Sequence, residues 1–172
     1  FGGCIAGEIY GTNVISLANA TYVLSKGEIT LSHEVTIEGF FTANAELEDT
    51  ILGSKPRRMP PLTTIDGNFK RLFNTAVSKT NLTLKHMVLT HGKADLGGAI
   101  LAGGLVTVEN VVFTENEATQ AGGAVYLSGR DSSFSAIESS LKINKADKGA
   151  ALGMSCIDYL NPLVRNITIT SS

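Results

Sequence analysis

Tryptophan is absent from this chain of 172 residues, and all aromatics together supply 6% of it. Charge is sparse too: 17% of residues are charged, the formal net charge is −2 and the sequence pI is about 5.9. That balance lacks the basic face a nucleic-acid binder presents, so nucleic acid is not an expected partner. No run approaches the roughly 18 consecutive apolar residues of a membrane helix, so this segment is not expected to insert into a bilayer. Four prolines and 18 glycines stay below the level of a disordered low-complexity chain. Two cysteines, Cys4 and Cys156, offer no CxxC-type metal cluster. They are read as one long-range disulfide, as links to other chains, or as buried thiols serving as small apolar residues. A P-loop, an HExxH helix and a nucleophile elbow are all missing, and no cofactor is expected.

Hydrophobic residues make up 43%, which suits a single domain over 1–172 with a sizeable core. The chain opens on Phe1 rather than Met and is read as a processed form or a segment of a longer protein.

Internal repeats carry the strongest signal. Leu82-Thr83-Leu84 leads to Gly97-Gly98-Ala99-Ile100. Val106-Thr107-Val108-Glu109 leads through Phe113-Thr114-Glu115-Asn116 to Gly122-Gly123-Ala124-Val125. Phe134 then leads through Leu141 and Asn144 to Gly149-Ala150-Ala151-Leu152. Gly97, Gly122 and Gly149 are 25 and 27 residues apart, and Thr83, Thr107 and Ser135 are 24 and 28 apart. An earlier copy holds Val35-Thr36-Ile37-Glu38 and Phe41-Thr42-Ala43-Asn44, and another begins at Asn166-Ile167-Thr168-Ile169-Thr170.

Within a copy, apolar Val106 and Val108 alternate with Thr107 and Glu109, the period of a strand. A unit of short strands cannot bury its own inner face, so copies must stack. A propeller blade is too long for this period, and the leucine-rich framework is missing. The expectation is an all-β, right-handed parallel β-helix of about five to six rungs of roughly 25 residues, with 45–62 as an inserted loop. Gly98 and Gly123 are expected to allow a sharp turn or a close approach to the next rung, with Ile100 and Val125 filling the interior. Asn116 and Asn144, each three residues after an apolar strand residue, are expected to stack as an amide ladder.

These motifs resemble those of a known family. A GGA(I/L/V) tetrapeptide alternating with FxxN is similar to the repeats of chlamydial polymorphic outer-membrane proteins and related pectate-lyase-like β-helix surface proteins. Gly97-Gly98-Ala99-Ile100 and Gly122-Gly123-Ala124-Val125 carry the first motif. Phe41 with Asn44 and Phe113 with Asn116 carry the second, and Leu141 with Asn144 is a looser copy. Residues 89–92, Leu-Thr-His-Gly, depart from it. The resemblance implies a surface-displayed passenger domain, extracellular or on the cell surface, with adhesion to a host-cell or carbohydrate ligand as its role.

Polysaccharide lyases and hydrolases also use such solenoids, with paired carboxylates or acidic calcium ligands beside an Arg or Lys base. The outward candidates on the Gly-Gly-Ala strands are Ala99, Leu101, Ala124 and Tyr126, which supply none of these groups. Glu38, Glu109 and Glu138 are expected at equivalent positions with Lys85 between the first two, as a solvated stripe or a cation-binding stack. His33, His86 and His91 read as surface or turn histidines, and Asp66 as a turn former. The insertion, with Glu46, Glu48, Asp49, Lys55, Arg57 and Arg58, is the first place to expect a partner contact. Asn19, Asn81 and Asn166 stand in N-x-S/T sequons.

No catalytic, cofactor-binding or metal residue is assigned. The expected role is a non-enzymatic structural or adhesive module, a building block of a surface protein, stalk or filament. The alternative is a carbohydrate-active β-helix enzyme whose catalytic residues lie outside this segment. Open strand edges at both ends are expected to be covered by further parts of the chain or by copies of itself.

Overall fold

The computed structural model describes residues 13–40 and 63–155 and the backbone of the strand Ile167–Thr170. Cys4, Cys156, Phe41, Asn44, Asn166 and the 45–62 insertion lie outside the described residues. Among the described residues there are strands and turns and no helix.

The first turn consists of β1 (Val14–Ser16), β2 (Thr21–Val23) and β3 (Ile29–Thr30). The second is β4 (Val35–Glu38), β5 (Thr63–Asp66) and β6 (Phe73–Asn74). Three regular turns follow. They are β7 (Leu82–Thr90), β8 (Lys93–Leu96) and β9 (Ile100–Ala102); β10 (Leu105–Thr114), β11 (Glu117–Ala121) and β12 (Val125–Leu127); and β13 (Ser133–Ile137), β14 (Ser140–Lys142) and β15 (Leu152–Met154). Finally, β16 (Ile167–Thr170) pairs with β13. Every pairing is parallel and joins one turn to the next, giving the sheet paths β1-β4-β7-β10-β13-β16 and β3-β6-β9-β12-β15, with β8-β11 as a narrow third side. The fold is a parallel β-solenoid.

The repeat register read from the sequence holds: Thr36, Thr83, Thr107 and Ser135 are stacked partners. Their neighbours point inward and form columns, Val35-Leu82-Val106-Phe134 and Ile37-Leu84-Val108-Ala136 on one side, Phe73-Ile100-Val125-Leu152 on another. All of these are buried except Leu152, which packs at the margin of the core. Phe113 meets Phe134 edge to face at 6.4 Å. Burying a side chain of this size contributes about 1.5–3 kcal/mol, so the stacked columns are the main stabilising term.

Three corners define each regular turn, and each is a residue in left-handed conformation. His86, Asn110 and Glu138 form the first stack, His91, Glu115 and Ile143 the second, and Gly97, Gly122 and Gly149 the third, with φ between 50° and 66°. The first corners, at His86 and Asn110, lie inside β7 and β10 and let these strands pass from one face to the next without leaving the sheet. They also correct one expectation. Glu109 is paired with Ile137, not Glu138, which falls one residue later on the corner beside Asn110.

At the third corner the two glycines divide the labour. Gly97 and Gly122 take the left-handed φ, whereas a Cβ on Gly98 or Gly123 would meet backbone of the following turn at under 3.0 Å. Just after them, the amides of Ala99 and Ile100 both donate to the Ala124 carbonyl, and those of Ala124 and Val125 both donate to the Ala151 carbonyl. Two residues oppose one, a stacked bulge that turns consecutive side chains inward. Ala99 and Ala124 are therefore fully buried rather than outward-facing, as strict alternation would have had them.

Candidate functional site

The expected amide ladder is present. Asn116 is 1% exposed, and its Oδ1 accepts from the Gly92 amide at 2.9 Å. Its Nδ2 donates to the Leu89 carbonyl and to Asn144 Oδ1, both at 3.0 Å. Asn144 Nδ2 repeats the pattern one turn on, donating to the Phe113 carbonyl at 3.1 Å. The ladder runs from Asn144 through Asn116 and stops on Gly92, where a Cβ would press against Leu72 and Asn116. The departure from FxxN at residues 89–92 thus marks the end of the amide column.

Outside this column lie three groups of polar side chains. On the β4-β7-β10 face, Glu38, Lys85 and Glu109 are in register, and Lys85 Nζ is 3.0 Å from Glu109 Oε2. On the third side, Lys93 reaches Glu117 at 3.3 Å and Thr119 donates to Asp95 at 2.6 Å. At the second corner, His91 lies between Asp66 and Glu115. The hydrogen bond to Asp66 raises the pKa of His91 above its ordinary value of 6.5 against the opposing effect of burial, and the bond to Glu115 adds to the rise. Asp66 also forms the turn expected of it: its Oδ1 accepts from the Asn68 amide at 2.8 Å.

Arg71 binds three turns together. Its guanidinium donates to the Leu96 and Gly97 carbonyls and to Glu28 Oε2 at 2.6 Å, while Asn74 Nδ2 donates to Glu28 Oε1 at 2.8 Å. Its fork matches carbonyls already exposed by the left-handed Gly97, and only the three-dimensional stacking places Glu28 beside it.

A groove of about 580 Å³ runs along the third corner near the C-terminal turns, lined by Leu96, Gln120, Tyr126, Asp147, Lys148 and Met154 among others. Tyr126 lies in its floor against Gly122 and Gly153 and is largely buried. Among the described residues no group of three or more His, Cys, Asp or Glu side chains is arranged to hold a metal ion. Of the sequons, Asn19 is exposed, whereas Asn81 is half-buried and its Oδ1 caps the Leu105 amide at 3.0 Å.

Residues 110–128 match the family model of the Chlamydia polymorphic membrane protein repeat. The match spans the fourth turn from its first corner to β12 and contains both Phe113-to-Asn116 and Gly122-to-Val125. No curated protein and no solved structure matches the chain.

Proposed function

We propose that the chain is a non-enzymatic structural or adhesive module of an extracellular or surface-displayed protein, a building block of a surface protein, stalk or filament. The observation that carries this reading is the repeat match on the fourth turn, whose motif residues do stacking work: Asn116 in the ladder, Gly122 and Gly123 at the corner. The end turns point the same way. Among the described residues β1, β2 and β3 pair on one side only, as do β14 and β15 at the other end. Val14, Ile15, Val23 and Ile143 on these turns are exposed. One-sided strands bordered by apolar side chains are templates for further strands. We take the occupants to be further strands of the protein chain or copies of it.

Light scattering of the chain across a wide concentration range tests the building-block reading. Mass rising with concentration, and suppressed by Val14→Lys with Ile143→Lys, is expected. A monomer at every concentration overturns it. Turnover of uronic-acid or neutral glycans that disappears in Glu109→Gln would instead establish the carbohydrate-active alternative.

A further inference from the structure

His91 occupies the second corner of the third turn, and its ring is bracketed by carboxylates from the turns on either side. Nδ1 is 3.1 Å from Asp66 Oδ2, and Nε2 is 2.9 Å from Glu115 Oε2. A carboxylate offers only acceptors, and a neutral imidazole carries a single N–H. Both contacts are hydrogen bonds only when both ring nitrogens are protonated, which makes the cation the form this geometry selects. The bracket is held from behind as well. Asp66 is fixed through its other oxygen to the Asn68 amide, and the corner backbone is tied by Phe69 N–H to the His91 carbonyl at 3.0 Å.

We propose that Asp66, His91 and Glu115 form a proton-operated clamp across three consecutive turns, closed when the imidazole is charged and opened on one side when it is neutral. On deprotonation one nitrogen keeps its hydrogen bond, while the other turns a lone pair toward a carboxylate and that contact becomes repulsive. The neighbouring charges are engaged elsewhere. Lys70 turns its Nζ to the Asn68 carbonyl at 3.5 Å, and Lys93 pairs with Glu117. On the far side of Glu115 the stacked corner residue is Ile143, which carries no charge. The hydrogen bond to Asp66 raises the folded-state pKa above the ordinary 6.5. The clamp's contribution is therefore complete below about pH 6.5 and is lost as pH rises through the folded value. The second to fourth turns are held more tightly in mildly acidic surroundings than in neutral ones.

Histidine ring resonances of the whole chain, followed by NMR between about pH 5 and 9, test this together with thermal melts over the same range. The expected results are a His91 midpoint above the ordinary histidine value of 6.5 and a melting temperature that falls as pH rises through it. In His91→Gln that fall is lost, and in Glu115→Gln the His91 midpoint moves down. A His91 midpoint at or below 6.5 overturns the clamp, as does a pH profile unchanged in His91→Gln. The ring titration needs only the unmodified chain, so a variant that fails to fold leaves the test intact.

Discussion

Replacing Asn116 by alanine should open the solenoid at its best-connected turn. The side chain is 1% exposed and makes three hydrogen bonds: one accepted from the Gly92 amide, two donated to Leu89 O and Asn144 Oδ1. Alanine leaves the Gly92 N–H and the Leu89 carbonyl facing a small void. An orphaned buried group costs about 1–3 kcal/mol, so a loss of about 2–4 kcal/mol is expected. Asn116→Asp should cost at least as much, because a carboxylate can still accept from Gly92 but then confronts two oxygens without a proton to offer. The matched comparison is Thr107→Ala on β10 of the same turn, half-buried on the outer face, where only strand preference is lost, about 0.5 kcal/mol. Urea unfolding followed by circular dichroism measures the difference. Amide exchange at Gly92 adds a local readout, since a solenoid can open turn by turn. Equal and small effects from Asn116→Ala and Thr107→Ala would refute the ladder as a stabilising device.

Gly98→Ala and Gly123→Ala should each cost above about 2 kcal/mol, because the new Cβ meets backbone, whereas Gly129→Ala, with open space around a φ of 108°, should cost about 1 kcal/mol in the same denaturation assay. Arg71→Ala should lower stability by about 2 kcal/mol, and Arg71→Lys should not restore it, because an ammonium cannot serve two carbonyls and Glu28 at once. Phe113→Leu should cost about 1–2 kcal/mol through loss of the edge contact to Phe134, read as a lowered urea midpoint with an unchanged slope.

The stacking was legible because it is periodic. Thr83, Thr107 and Ser135 mark the register, and Asn116 and Asn144 mark the ladder, directly from their spacing. Alternation alone misplaced Ala99 and Ala124, since a bulge turns two successive residues inward and no residue type announces it. The corners at His86, Glu115 and Ile143 were hidden for a similar reason: ordinary side chains adopt the left-handed region there because neighbouring turns hold them in it. The His91 bracket was within reach. Asp66, His91 and Glu115 are 25 and 24 residues apart, the period already found, but reading Asp66 and His91 as isolated turn residues and Glu115 only within Phe113-Thr114-Glu115-Asn116 conceals the stack. Arg71 and Glu28, 43 residues apart and off the repeat period, left no such trace.

The bonds between turns lie along the solenoid axis, and this has a mechanical side. Tension applied along that axis loads each ladder as a zipper, so turns detach one after another rather than yielding together. Each detached turn of 24–28 residues lengthens the chain by about 80–90 Å. The first to give way is the first described turn, whose short strands β1, of three residues, and β3, of two, pair on one side only among the described residues, while the turns pinned by Arg71 and Asn116 yield later. A tether built of such turns would absorb a pull by paying out length in steps.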